Sequence, residues 1–357
     1  MKNWLPDGWL TLSYILAAAL SLVVLTSISP DRVATQALMF GIGFLIYIYI
    51  AHQDSAVFKT LAGVTYVISI LMLLATMLLG TSIRGSTRWI PIGTFQLQAG
   101  EFVKPLLVLS FAYFIRLYPP KTFKNILINT ILFVIPTLLI FKQPDLGTAL
   151  VVSCIWASQM FVSGISFWLI GGLLGAGTIF GEFLPRFLHG YQLKRLETFI
   201  DPFRDPLGAG YNVIQSIIAV GSGGILGKGL GHGTQSHLRF LPERHTDFIF
   251  ASLAEELGII GSLFVIFCLG GLLYRLLTLA THSPSSSSRL IYIGTFSYLF
   301  FQTFINIGMN IGIAPVTGVT LPLISYGGSS VLATAITLGI AASCARGDKV
   351  YGLIEIK

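Results

Sequence analysis

Charge is scarce in this chain. Asp, Glu, Lys and Arg make up only 10% of its residues, against about 25% in soluble domains, and that shortage excludes an ordinary soluble globule. Cysteine is rare too: Cys154, Cys268 and Cys344 form an odd, scattered set inside apolar segments, with no Cys-x-x-Cys spacing. They support neither a disulfide framework nor a zinc site, and read as small buried hydrophobes. The chain also lacks an Asp-x-Asp metal motif and shows no evident cofactor, which leaves a divalent cation (Mg2+ or Mn2+) open. Nor does it carry a penicillin-reactive Ser-x-x-Lys site in an external domain.

What is present is apolar sequence: 54% hydrophobic residues and a mean hydropathy of +0.80. Apolar runs of about 20 residues, each long enough to cross a bilayer, set the architecture here, rather than soluble domains of ~150 residues. The expected fold is all-α, a single polytopic membrane domain over residues 1–357. Ten spans are predicted: Trp9–Ile28, Ala34–Ala51, Leu61–Leu79, Phe102–Leu117, Ile126–Phe141, Leu146–Phe161, Ile165–Leu184, Ile249–Leu277, Leu290–Ile311 and Tyr326–Ala345. Ser27-Ile28-Ser29 is a poor cleavage site and further spans follow at once, so the first span is read as an uncleaved helix.

The net charge of +7 invites a nucleic-acid reading, but its distribution points to membrane topology. With a cytoplasmic N-terminus, the inner loops and tails hold ten basic residues: Lys2, Lys59, Arg116, Lys121, Lys124, Arg275, Arg289, Arg346, Lys349 and Lys357. The short outer loops hold Arg32, Arg84, Arg88 and Lys142. By the positive-inside rule both termini are cytoplasmic, and the long polar loop 185–248 is extracytoplasmic.

That loop ends in Leu241-Pro242-Glu243-Arg244-His245-Thr246-Asp247-Phe248-Ile249-Phe250, which packs two acids, an arginine, a histidine and a threonine into five positions. Thr246 or Asp247 is suited to cap the next helix, with Glu255 and Glu256 in its following turns; the competing reading makes Asp247 a catalytic base at the membrane surface. Topology favours the second. Arg84, Arg88, Glu101, Lys104, Asp145 and Asp247 all fall on one outer side, where they would surround an anionic substrate.

Arg84-Gly85-Ser86-Thr87-Arg88-Trp89-Ile90-Pro91 reads as an interfacial anchor or as a cationic phosphate patch. Lys104 lies three residues after Glu101, one helix turn on, at the helix end where the dipole disfavours a cation; a substrate role or a structural ion pair fits. Asp145 fits an N-cap over Thr148. Tyr191–Ile200 reads as an amphipathic surface helix. Gly227-Lys228-Gly229-Leu230-Gly231 lacks a phosphate-loop frame, so it is a turned loop. Gln302, Asn306 and Asn310 share a helix face suited to interhelical hydrogen bonds. Pro315, Pro322 and Ser325-Tyr326-Gly327-Gly328-Ser329-Ser330 break the helical pattern, as in a loop folded back into the bundle.

These motifs resemble the shape, elongation, division and sporulation (SEDS) family over nearly the whole chain. The likeness is carried by Leu241–Phe250 with Ala254-Glu255-Glu256-Leu257-Gly258, by Pro144–Thr148, by Asn306-Ile307-Gly308-Met309 and by Pro322–Ser330. Arg244 before His245-Thr246-Asp247 resembles the elongation branch more than the division branch. One departure is Gln98-Ala99-Gly100-Glu101, where the family commonly has Gln-Pro-Ser-Glu. The resemblance implies a glycosyltransferase of the cytoplasmic (inner) membrane that polymerises lipid II into a nascent glycan on the outer face. It implies Asp247 as general base, Arg88, Glu101, Lys104, Asp145, Arg244 and His245 around the substrate, and a class B penicillin-binding protein as transpeptidase partner in an elongation complex. The alternatives are a division-type polymerase, a lipid II flippase and a scaffold.

Overall fold

The computed structural model describes residues 6–83, 86–93, 95–165, 190–208 and 210–354. It is a helical bundle. The long helices are α1 (Gly8–Ile28), α2 (Val33–His52), α3 (Ser55–Leu79), α4 (Ala99–Leu117), α5 (Phe123–Lys142) and α6 (Leu146–Val162). After the short elements α7 (Gly190–Ile200), α8 (Tyr211–Ser222) and α9 (Thr234–His237), the bundle resumes with α10 (Ile249–His282), α11 (Ser286–Asn310) and α12 (Gly328–Ile354). Nine of the ten predicted spans coincide with helices; the seventh, Ile165–Leu184, lies almost wholly outside the described residues.

Helix starts follow local chemistry. Asp7, Asp54, Thr122, Asp145 and Ser285 each accept a first-turn backbone N–H with the side chain, which relieves donors that have no intrahelical partner. Pro105 and Pro136 lie inside α4 and α5 without ending them, as the packed surroundings of membrane helices permit.

Position in the bundle follows polarity. In α12 83% of the apolar window is buried, whereas α2 and α5 bury 22% and expose leucines and isoleucines outward. α12 is therefore the central helix. It packs against α2 and α4, while α10 packs on α1 and α11, and α11 on α4 and α6.

Two features depart from the sequence reading. A three-stranded antiparallel sheet, β1 (Thr81–Ile83), β2 (Ser86–Ile92) and β3 (Phe95–Gln98), sits between α3 and α4, with Trp89 opposite Gln98 and Pro91 opposite Gln96. The stretch around Arg88 is thus a strand in a mostly helical protein. The second departure is a break in α10 at Gly258, where φ is 65° and ψ −161°.

The glycine-rich segment repairs that break. Lys228 N and Gly229 N donate to the carbonyls of Glu255 (3.0 Å) and Glu256 (2.9 Å), and Ile259 N donates to Gly224 O (2.9 Å). Glu255 and Glu256, both fully buried, therefore stand before a helix break rather than serving a helix N-terminus. Glu255 takes Lys228 Nζ at 2.8 Å together with Thr234, Gln235 and Ser236; Glu256 is bonded to Ser27 Oγ at 2.7 Å and His237 Nε2 at 2.8 Å. These carboxylates clamp the segment 228–237 onto the bundle.

Candidate active site

The sheet, the N-termini of α4, α6 and α10, and the C-termini of α1 and α11 gather at one end of the bundle. The Asp7–Arg275 ion pair and Asp348 with its Ser283, Ser288 and Tyr292 partners mark the other end.

At the first end the backbone around Asp247 is tightly turned. Glu243 has φ of 53°, and its carbonyl accepts Thr246 N at 3.1 Å and Phe248 N at 3.2 Å. A non-glycine residue in the left-handed region costs about 1–2 kcal/mol, here offset by the turn's own bonds and by Thr246 Oγ1 donating to Glu243 Oε2 at 2.9 Å. The cap residue of α10 is Phe248, and it makes no side-chain cap bond. The cap position is thus Phe248 rather than Thr246 or Asp247, and the Thr246 hydroxyl is turned back onto Glu243.

Asp247 is instead fixed through its main chain. Its carbonyl accepts Asn306 Nδ2 at 3.1 Å and Asn310 Nδ2 at 3.0 Å, and Asn306 also bonds Val319 O at 2.8 Å. Asn310 Oδ1 receives Ala251 N at 3.0 Å. The polar face of α11 thus does bond between helices, and what it holds is the candidate base. Gln302, one turn earlier, is buried, and no hydrogen bond to its amide is seen among the described residues.

The segment between α11 and α12 folds back into this end. Ser325 Oγ donates to Thr246 O at 2.8 Å, Tyr326 N to His245 O at 2.8 Å, and Thr320 Oγ1 meets Ser330 Oγ at 2.9 Å. Ser329 Oγ accepts Gln98 N at 3.1 Å, tying β3 to the start of α12. At the centre is Gly318, with φ of 75°. A methyl group there would lie 3.7 Å from Asp247 Oδ2 and 3.9 Å from Arg195 Nη1. Arg195, on α7, is brought beside the candidate base. Sequence reasoning missed it because an arginine on an amphipathic surface helix is what lipid anchoring also demands.

Beyond Gly318 lies a second charged group. Gly147 packs so closely on this segment that a methyl group there would stand 3.0 Å from Thr317 O. Two residues earlier, Asp145 caps α6 through Thr148 N at 3.1 Å, as expected, and its Oδ1 lies 3.5 Å from Arg88 Nη1. Arg88 also donates to Pro144 O, and both charged side chains are nearly enclosed. At Gly100 a methyl group would be 3.5 Å from Asp145 Oδ2, so this glycine leaves open the space beside the carboxylate, and α4 runs as a regular helix from Ala99.

Directly after Gly100, Glu101 Oε1 pairs with Lys104 Nζ, one turn on, at 2.7 Å. Lys104 is 1% exposed and its ammonium lies 5.0 Å over the Tyr298 ring. Removing either partner would strand a buried charge at a cost of about 3–5 kcal/mol.

The remaining candidates face the end of α1. Arg244 Nε donates to Ile28 O at 3.0 Å. The His245 ring meets the Tyr326 ring edge-on at 5.7 Å, and Arg32 covers that same tyrosine at 5.0 Å. Burial, then the positive charge of Arg32, pushes the His245 imidazole down to about 4. It is neutral at pH 7. Arg84 lies outside the described residues.

A family model for FtsW, RodA and SpoVE, described as cell cycle protein, matches residues 9–349. The chain belongs to this family. It is 42% identical over 340 residues to the peptidoglycan glycosyltransferase MrdB of Escherichia coli K12, covering 93% of this chain and 92% of that relative. A probable peptidoglycan glycosyltransferase FtsW of Coxiella burnetii is 34% identical, with 95% of each chain covered. Among solved structures, the rod shape determining protein RodA of Thermus thermophilus superposes with a TM-score of 0.74 at 30% identity, covering 97% of this chain and 99% of that one. A chain from a peptidoglycan synthase complex that coordinates polymerization and crosslinking gives 0.82 at 35% identity, covering 96% and 98%. The family places the helical bundle in a membrane as a multi-pass protein, in keeping with the seven helices long and apolar enough to span among the described residues.

Proposed function

We propose that this chain is a peptidoglycan glycosyltransferase that polymerises lipid II, with Asp247 as general base. The observation that carries the reading is the construction around Asp247: a half-buried carboxylate whose main chain is held by two buried asparagines, at the end of the bundle where arginines converge. Likeness to named peptidoglycan glycosyltransferases over more than nine-tenths of the chain supports it.

The reaction suits this equipment. Joining an α-linked lipid-diphosphate sugar to a 4-hydroxyl in β-linkage inverts the anomeric carbon, so one in-line displacement suffices. Asp247 takes the proton of the acceptor hydroxyl as its oxygen attacks C1. Glycosidases need an acid for a poor leaving group, whereas diphosphate departs with its charge stabilised by preorganised cations. Arg88, with its guanidinium fixed by Asp145 and Pro144, is the cation we assign to the departing diphosphate. Lys104 acts from beneath, through its field and its hold on Glu101, since it is enclosed. Arg195 helps to order the Asp247 side. No step is assigned to a divalent cation; chelator added to the polymerase assay tests whether one takes part.

Positive-inside topology puts Asp247 on the extracytoplasmic face of the cytoplasmic membrane. A penicillin-binding protein is the partner we assign for cross-linking, consistent with the synthase complex to which the fold is similar. Purified protein given labelled lipid II should form glycan; transfer of lipid between leaflets without glycan would instead support a flippase.

A further inference from the structure

Three arginines converge next to the catalytic stretch without sharing a contact with the Arg88–Asp145 pair. Arg32 lies over Tyr326, the ring that also packs on His245. Arg244 is bonded to Ile28 O, at the end of α1 and four residues before Arg32. Arg239, on the same loop, is exposed. Arg239 stands five residues before Arg244 on that loop, and after burial Arg239 and then Arg32 lower the proton affinity of Arg244. The neighbouring carboxylates are Asp31, whose side chain is 79% exposed and 3.8 Å from Arg32 Nε, and Glu243, bonded to Thr246. Three guanidinium groups face two carboxylates. The cluster's net positive field attracts an anion, and guanidinium forks suit phosphate oxygens.

The chemistry of the proposed reaction calls for such a second place. Each of its two substrates carries a lipid diphosphate, and only one of these departs. The departing group gains charge in the transition state and needs enclosed, rigid donors. The other keeps its charge throughout and needs only to be bound. The enclosed Arg88 suits the first role; the more open cluster, three residues from Asp247 along the chain, suits the second.

We propose that Arg32, Arg239 and Arg244 form a separate anion site that holds the diphosphate retained by the acceptor lipid, positioning its sugar hydroxyl at Asp247. This rests on the polymerase reading. The bond formed is acceptor oxygen to donor C1, the bond broken is donor C1 to diphosphate oxygen, and the acceptor's own diphosphate stays intact.

The test uses the full chain in lipid nanodiscs, with a preformed short lipid-linked glycan as saturating donor and lipid II titrated as acceptor. Arg32→Gln removes a charge from a partly exposed side chain and loses the contact with the Tyr326 ring, so the thermal midpoint should fall by about 4 °C at most. Its KM for lipid II should rise about tenfold with kcat kept within about twofold, the pattern of lost uniform binding, and Arg32→Lys should recover part of the loss. An unchanged KM, or a fall in kcat alone, overturns the proposal. Discs with and without phosphatidylglycerol separate the sources of phosphate: a KM effect seen only with phosphatidylglycerol would mean a phospholipid headgroup occupies the site, also overturning it. If wild type forms no glycan, the polymerase reading fails; if wild type polymerises and Arg32→Gln is kinetically normal, only this inference fails.

Discussion

Asn310 shows how a single buried amide sets the position of the proposed base, some distance from its own backbone. Its side chain bonds Asp247 O, Ala251 N and Ser216 Oγ at once. Asn310→Ala leaves Ala251 N without its side-chain partner, at about 1–3 kcal/mol, while Asp247 O keeps Asn306 and Ser216 Oγ keeps the Asn310 carbonyl; the thermal midpoint should drop and polymerisation should fall with it. His245 makes a prediction in pH. Its imidazole, ordinarily near 6.5, is held down to about 4 by burial and by Arg32. The unfolded chain therefore takes up a proton that the folded protein refuses, and this residue's contribution to stability is lost as pH falls from 6.5 towards 4. In melts across that range, His245→Gln should flatten the acid-side decline; an unchanged slope would contradict the assignment. Asp145 as a cap and Glu101 with Lys104 as a turn-spaced pair were legible from spacing alone. Arg195 and Arg32 were not, because what they stand beside, Gly318 and Asp247 in the first case and Tyr326 in the second, is far along the chain in loop segments, and neither belongs to a local motif.

Among the elements, the break in α10 carries the clearest mechanical argument. At Gly258 a methyl group would lie 2.4 Å from Gly227 N and 2.5 Å from Ile225 O, on a backbone with φ of 65°. Gly258→Ala should cost at least about 2 kcal/mol from strain and crowding, and limited proteolysis should then cut the loop around Gly224–Gly233, which Glu255 and Glu256 otherwise clamp. The long helices were readable because apolar runs need no partner to be recognised. The sheet 81–98 was hidden: Arg88, Trp89 and Pro91 are as natural in an interfacial loop as in a strand, and its pairing is set by β3 docking on Ser329, a tertiary contact. The α10 break was likewise masked, since Gly258 stands inside a stretch long enough to read as one span and only the distant glycine segment supplies its replacement bonds.

For the whole molecule, the helix directions put two very different ends on a membrane protein. One bears the sheet, the re-entrant segment and Asp247; the other bears Asp7, Arg275 and Asp348. With Cys154, Cys268 and Cys344 replaced by serine, Leu238→Cys at the first end should react with an impermeant maleimide added outside intact cells, and Thr281→Cys at the other should not. The reverse pattern would put the site in the cytoplasm. The central claim is met most directly by the rate at which purified wild type and Asp247→Asn convert labelled lipid II to glycan. The variant should melt like wild type and lose polymerisation by about a thousandfold or more, within the range for loss of a general base; a folded Asp247→Asn protein that still makes glycan at near the wild-type rate would contradict the account.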